Sequence, residues 1–222
     1  TIDKSQQYAI GIDIGGTNTK FGLVDTRGDI FYRGAISTKK HKSVDKFIDA
    51  LYEAILPAID SVGGVTEIKG IGVGAPNGNY YKGTVEYAPN LPWKGVIPLA
   101  DMIAARFGLD ASLTNDANAA AVGEMMYGAA RGMKDFIMIT LGTGVGSGIV
   151  ANGQLIYGHD GFAGELGHTI IIPDGRLHWG TGAHGSLEAY ASATGIRLTA
   201  LELLEKHHNK TSLLRNVPVA EL

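Results

Sequence analysis

The chain has 222 residues, with 19 basic and 22 acidic side chains and a formal net charge of −3. The sequence contains no run of basic residues that could bind a nucleic acid or an anionic membrane, and no apolar run approaches the ~18 residues of a membrane span. The absence of cysteine excludes disulfides and thiol chemistry. We therefore expect a cytoplasmic protein that binds a small molecule, with no nucleic acid and no membrane as partner.

Glycine is the outlier of the composition, with 32 residues in 222. This is about twice the usual share, while the 18% of charged residues falls below the usual ~25%. Both values are typical of a turn-rich α/β protein. The length is sufficient for one large or two small domains.

The first feature in chain order is the stretch YAIGIDIGGTNTKFGLV, residues 8–24. Its two apolar runs flank Gly15 and Gly16, so the pattern predicts a strand, a tight turn and a second strand, with Asp13 near the turn. The glycines allow the backbone to turn sharply, and Thr17 adds a hydroxyl beside exposed main-chain N–H groups. Such a hairpin tip suits a phosphate, although a simple Gly-Gly turn is the alternative.

Together with the two hairpin strands, the next segments predict the order strand, strand, strand, helix and strand, followed by a short helix and a further strand. A third strand is expected over residues 29–36 and a buried strand over 68–74, with a short helix over 99–107 and a strand over 111–115. Between the third and fourth strands, Ser43 can cap a helix whose apolar positions recur at helical spacing. We expect these positions to form the core: Val44, Phe47, Ile48, Leu51, Ile55 and Ile59.

The loop-rich stretch 77–98 is unusually aromatic. Tyr80 and Tyr81 can line a sugar site or cover a small core, and we favour the second interpretation. Farther along, Asp116 in TNDANAAAVGE lies where a strand meets a helix. An N-cap is the structural interpretation of this aspartate, whereas the neighbouring alanines leave room for a ligand at the start of the helix.

A second glycine hairpin follows in FIMITLGTGVGSGIV, residues 136–150, with Gly142, Thr143 and Gly144 at its tip. Two such hairpins in one chain suggest two related halves that face a common ligand. In GFAGELGH, Glu165 and His168 are three residues apart, which places both side chains on one side of a helical turn. A carboxylate and an imidazole can together bind sugar hydroxyl groups.

Together these motifs resemble the ROK family of bacterial sugar kinases and repressors, within the actin, Hsp70 and hexokinase ATPase superfamily. The resemblance implies an α/β, ribonuclease-H-like fold with two related βββαβ-type halves around a cleft. It divides the chain into a small α/β domain over residues 1–115, with the first phosphate hairpin, and a large α/β domain over residues 116–222. Because ROK kinases are longer, we expect the natural chain to continue past Leu222.

The resemblance also implies roles for individual residues. Asp116 would be the catalytic base, and Asp13 would hold Mg²⁺ through water. The expected sugar-binding residues are Asn90 in PNLPW, Asn115, Glu165, His168 and Glu188. The expected nucleotide-binding residues are Asp13, Gly15, Gly16, Thr17, Lys20, Gly142, Thr143 and Gly144.

The sequence departs from the family where many members bind a structural zinc through one histidine and three cysteines. Here Trp179, Thr181 and Ser186 occupy the cysteine positions, and none of these side chains binds zinc well. His178 and His184 lie nearby without a fitting fourth ligand. We expect no zinc, and we expect the packing of Trp179 to support the loop instead.

The preferred interpretation is an ATP-dependent hexokinase that phosphorylates the 6-hydroxyl of a hexose, with ATP and Mg²⁺ as cofactors. Glucose is the preferred candidate substrate. We expect a homodimer. Kinases of N-acetylhexosamines such as N-acetylmannosamine remain an alternative, and polyphosphate remains an alternative donor. A sugar-responsive repressor of the same family and a plain sugar-binding protein are the alternatives from other classes.

Overall fold

The computed structural model describes residues 7–218. Within this part, one compact unit extends to Ile137 and includes Gly148–Ala163, and a second unit contains Met138–Ser147 and the residues from Gly164 onward. The predicted boundary between residues 115 and 116 stays a prediction. The polar residues 1–6 and the expected continuation past Leu222 lie outside the described residues.

The described part of the chain contains eleven strands and five α-helices. The strands are β1 (Tyr8–Ile14), β2 (Asn18–Val24), β3 (Ile30–Ser37), β4 (Ile68–Gly74), β5 (Gly78–Asn79), β6 (Thr84–Glu86), β7 (Val96–Ile97), β8 (Ala111–Thr114), β9 (Phe136–Leu141), β10 (Val145–Ala151) and β11 (Gln154–Leu155). The helices are α1 (Val44–Ser61), α2 (Leu99–Phe107), α3 (Asp116–Tyr127), α4 (Leu187–Ala191) and α5 (Ala193–Lys206). Among these residues, no helix has the length and apolar character needed to cross a membrane.

A five-stranded sheet with the order β3-β2-β1-β4-β8 forms the centre of the first unit. β1, β2 and β3 form an antiparallel meander, whereas β4 runs parallel to both β1 and β8. This arrangement confirms the predicted order of strand, strand, strand, helix and strand. In β1, Ile10, Ile12 and Ile14 are buried while Asp13 lies on the opposite face, as the two-residue period of a strand requires.

Helix α1 supplies the core expected of its apolar periodicity. Phe47, Leu51 and Ile55 are each at most 1% exposed, and Ile48 and Ile59 are also buried. This confirms the predicted core face of the helix. Ser43 occupies the N-cap position as predicted, but its side chain makes no capping hydrogen bond.

The loop after β6 is anchored by Trp93. Its indole Nε1–H donates to the carbonyl oxygen of His41 over 2.9 Å, and its ring lies 4.6 Å from that of Phe47. The prediction that Tyr80 and Tyr81 cover a core is wrong, because both side chains are exposed. Tyr80 instead stacks on Tyr157 at the surface, with the ring centroids 4.1 Å apart.

The second unit contains α4 and α5 and the loop over residues 169–186. Ile196 and Leu203 of α5 are 55% and 51% exposed, so these two apolar side chains do not lie in a core. They line an open groove together with Leu204 and Leu214. Helical periodicity indicates an apolar face, but no described element covers that face here.

Candidate functional site

Two carboxylates lie at the carboxyl ends of the parallel strands of the first unit. Asp13 in β1 pairs with Gly74 at the end of β4, and Asp116 begins α3 after β8. A Cβ atom on Gly74 would lie 3.5 Å from the Cα of Asp116 and 3.2 Å from the Cβ of Ala119. Gly74 therefore allows the start of α3 to approach the strand ends, where α/β sheets commonly bind ligands.

The electrostatics of this corner favour a cation beside Asp13. Partial desolvation raises the pKa of Asp13, and the negative charge of Asp116 raises it further, while Lys20 lowers it. Lys20 lies directly opposite Asp13 across the hairpin. Two neighbouring carboxylates supply the oxygen ligands that Mg²⁺ prefers, so these residues fit the expected metal.

The structure assigns the helix cap to Asn115 rather than to Asp116. The Oδ1 atom of Asn115 accepts the N–H of Asn118 over 2.9 Å, and Oδ1 of Asp116 accepts the N–H of Ala117 over 2.9 Å. Asn115 thus satisfies one of the free N–H groups at the start of α3. Asp116 remains an exposed carboxylate.

The first glycine hairpin has the predicted form and lies against Asn90. The N–H of Gly15 donates to the carbonyl oxygen of Asn18 over 3.0 Å. A Cβ atom on Gly16 would lie 2.6 Å from the carbonyl oxygen of Asn90, so only glycine permits this approach. The structure therefore brings together Asn90 and the turn at Gly15 and Gly16, with Thr17 exposed beside them.

The tip of the second hairpin belongs to the second unit. The N–H of Gly142 donates to the carbonyl oxygen of Gly144 over 3.0 Å, and the carbonyl oxygen of Gly142 accepts the N–H of Ala193 over 2.8 Å. These bonds close the turn and tie it to the start of α5. Gly142 and Thr143 are exposed, as a phosphate-binding tip requires.

Glu165 directly precedes a single 3₁₀ turn over Leu166–His168, and His168 is the last residue of that turn. The Nε2 atom of His168 lies 3.7 Å from Oε2 of Glu165, and the two side chains are 50% and 44% exposed. The prediction that they lie on the same side of a turn is confirmed. Both side chains remain accessible to a ligand.

Glu188 is held by protein groups on both of its carboxylate oxygens. Its Oε2 atom accepts the N–H of Val145 over 2.7 Å, and its Oε1 atom lies 2.7 Å from Nε2 of His178. Val145 directly follows the second hairpin tip. Sequence reasoning missed both partners, because neither the second hairpin nor the position of His178 in the chain indicates a contact with Glu188.

The three positions at which the family resemblance implied cysteine have other contacts here. Trp179 is half exposed, and its ring stacks on that of His178 at 4.6 Å. Thr181 donates its main-chain N–H to Nδ1 of His178 over 3.0 Å, and Ser186 accepts the N–H of Ala189 as the cap of α4. Within residues 7–218, no group of three or more potential metal-binding side chains is present.

Comparison with known proteins places these motifs in one family. The ROK family model matches residues 9–218. A glucokinase from Halalkalibacterium halodurans is 39% identical over 208 residues, covering 91% of this chain and 62% of its own length. The xylose repressor of Caldicellulosiruptor bescii is 33% identical over 208 residues, covering 92% of this chain and 51% of its own length.

The chain thus spans less than two thirds of the length of these relatives. Among solved structures, a ROK family glucokinase from Streptomyces griseus in complex with glucose and AMPPNP is 36% identical, with a TM-score of 0.74. That comparison covers 96% of this chain and 67% of the other. It confirms the predicted actin-like α/β fold class, and the chain belongs to the ROK family.

Proposed function

We propose that the protein is an ATP-dependent hexokinase that transfers the γ-phosphoryl group to the 6-hydroxyl of a hexose, with glucose as the first candidate. The observation that carries this proposal is the pair of carboxylates, Asp13 and Asp116, at the ends of parallel strands. Glucokinase relatives and the solved glucokinase with glucose and AMPPNP support the same reaction.

Asp116 would act as the general base. Its carboxylate would accept the proton of the 6-hydroxyl while that oxygen bonds to the γ-phosphorus and the bond to the β-phosphate oxygen breaks, leaving ADP. Phosphoryl transfer requires mainly positioning and charge stabilisation. A positioned base typically contributes about 10² to 10⁴ in rate.

The two hairpin tips would bind the phosphates of ATP. The main-chain N–H groups from Gly15 to Thr17 and from Gly142 to Gly144 are the proposed donors, and Lys20 would add positive charge beside Asp13. When bound, Mg²⁺ would neutralise phosphate charge. Asp13 would hold this ion through water molecules, since Mg²⁺ usually keeps much of its hydration shell.

Hexose hydroxyl groups would be bound by amide, carboxylate and imidazole groups. The proposed sugar ligands are Asn90, Asn115, Glu165, His168 and Glu188. These residue types supply both donors and acceptors, which suits several hexoses. The N-acetylhexosamine kinase therefore remains the alternative within the enzyme class, and polyphosphate remains the alternative donor.

A sugar-responsive repressor is the second candidate function, because a xylose repressor is among the relatives. Such a protein needs a sugar site but no base and no metal ligand, so the presence of both Asp13 and Asp116 favours the kinase. The proposal further includes a cytoplasmic location, a homodimer and a domain boundary between residues 115 and 116.

The decisive experiment measures formation of hexose 6-phosphate by the purified protein with a hexose panel and with ATP or polyphosphate as donor, together with ADP release in the ATP reactions. Asp116→Asn keeps the shape of the side chain and should lower kcat by about 10² to 10⁴ with little change in hexose binding. Asp101→Asn is the control, since Asp101 also lies in the first turn of a helix of the first unit. Near-normal turnover of Asp116→Asn would refute the assignment of the base.

A further inference from the structure

The buried imidazole of His178 has a defined proton position. His178 is 3% exposed, and its Nδ1 atom receives the main-chain N–H of Gly180 over 3.1 Å and that of Thr181 over 3.0 Å. Main-chain N–H groups can only donate, so Nδ1 must carry a lone pair. In the neutral imidazole the proton is then on Nε2.

The protonated Nε2 atom faces Glu188. It donates to Oε1 of Glu188 over 2.7 Å, while Oε2 accepts the N–H of Val145 over 2.7 Å. Hydrogen bonds to a carboxylate are stronger than those between neutral groups. The carboxylate is therefore fixed from two separate segments of the second unit.

This double anchor leaves part of the carboxylate for a ligand. An ionised carboxylate offers about four lone-pair sites, and the two protein donors use two of them. The side chain of Glu188 is 17% exposed, so it is neither sealed in the core nor free to rotate in solvent. By contrast, Glu165 and His168 are about half exposed.

The ring of His178 is itself fixed in orientation. Trp179 stacks on one face at 4.6 Å, with an interplanar angle of 26°. Together with the two N–H donors to Nδ1, this contact restricts rotation of the ring. A histidine so held transmits its orientation to its hydrogen-bond partner, as outer partners of binding residues commonly do.

We propose that His178 is a positioning residue that sets the orientation of Glu188 and thereby the affinity of the second unit for a hexose. The inference rests on the proposed hexose site and deepens it. His178 itself needs no contact with the sugar, because its effect passes through the carboxylate of Glu188.

Two substitutions separate the two hydrogen-bonding functions of His178. His178→Asn keeps an acceptor near the position of Nδ1 for the loop N–H groups and removes the donor to Glu188. His178→Gln places an amide donor near the position of Nε2. His159→Asn is the control, since the side chain of His159 is 98% exposed.

The main measurement is the hexose dissociation constant by calorimetry, together with KM and kcat where turnover is seen. His178→Asn should weaken hexose binding roughly tenfold to hundredfold, the range expected for a lost hydrogen bond to a charged group. We expect KM for ATP to stay within a few-fold, and His178→Gln to recover most of the hexose affinity. In a Glu188→Ala background, His178→Asn should cause no further loss.

A nitrogen-15 NMR spectrum of the histidine side chains provides a readout independent of activity. The signal that disappears in His178→Asn should be that of a neutral ring protonated on Nε2. Protonation on Nδ1 would overturn the proposal. So would unchanged hexose affinity in a folded His178→Asn variant, or equal losses for Asn and Gln.

The outcomes also separate this inference from the proposed function. If the wild-type protein binds hexose without transferring phosphate, the kinase proposal fails, while the binding constants still test the role of His178. If the wild-type protein phosphorylates hexose and the His178 variants bind it normally, only the role of His178 fails. Absence of any hexose binding would overturn both.

Discussion

Replacing Gly144 by alanine tests how firmly the carboxylate of Glu188 is held. An added Cβ atom would lie 2.6 Å from Oε2 of Glu188. The end of a glutamate side chain normally moves aside at little cost. Here, however, Oε2 is hydrogen-bonded to the N–H of Val145 and Oε1 to Nε2 of His178. Gly144→Ala therefore costs stability only if those two hydrogen bonds are strong.

The size of the effect follows from these distances. To restore an ordinary contact, Oε2 must move by about 0.8 Å. A shift of that size away from Val145 lengthens its 2.7 Å hydrogen bond to the N–H of Val145 past the usual range for such bonds. A hydrogen bond to a charged group contributes about 1.5–3 kcal/mol. For a protein of this size the expected fall in Tm is roughly 3–12 °C.

The assay is chemical and thermal unfolding of Gly144→Ala beside Gly142→Ala. A Cβ atom on Gly142 would meet nothing within 4 Å, so that variant controls for the loss of glycine in the same turn. In a Glu188→Ala background, Gly144→Ala and Gly142→Ala should be equally stable. Equal stability of Gly144→Ala and Gly142→Ala in the otherwise wild-type protein would refute the anchored carboxylate.

Two further predictions concern the loop over residues 169–186. The hydrogen bond from Arg176 lowers the pKa of Glu202 from its ordinary 4.5. The wild type should therefore have a higher Tm than Glu202→Gln at pH values above 4.5, and this difference should shrink as the pH falls through the lowered pKa of Glu202. Melting curves by circular dichroism across this range would check it, and a pH-independent difference would contradict it. Gly185→Ala should be far less stable than Gly182→Ala: both glycines have positive φ, but only at Gly185 would a Cβ atom collide with the carbonyl of Ile172. Equal unfolding midpoints would show that the loop rearranges to accommodate the added methyl group, and would contradict this prediction.

The elements near the first hairpin could be predicted because their signals are local. The apolar run before Gly15 predicted β1, and helical spacing predicted the buried face of α1 through Phe47 and Leu51. Because the two strands are joined by a short turn, hairpin geometry alone places Lys20 near Asp13. The first glycine hairpin and the position of Asp116 between a strand and a helix could also be predicted, because their signals are local in the sequence.

The features that sequence reasoning missed depend on how distant segments fold against one another. The apolar face of α5 is evident from spacing, but spacing does not reveal that Ile196 and Leu203 remain exposed. Likewise, nothing local to Glu188 indicates that it meets His178 and Val145. The contact with Val145 joins β10 to α4, and the contact with His178 depends on the path of the loop over residues 169–186, whose sequence shows no periodicity.

Side-chain hydrogen bonds hold the loop over residues 169–186, where the family resemblance implied a zinc site. The guanidinium of Arg176 donates to the carbonyl oxygens of Ala189 and Gly195 and to Oγ1 of Thr199, while His178 joins the loop to Glu188. These anchors end on two different helices, α4 and α5. Loss of one anchor therefore weakens the loop without releasing it, whereas a metal centre loses all of its bonds at once when the ion leaves.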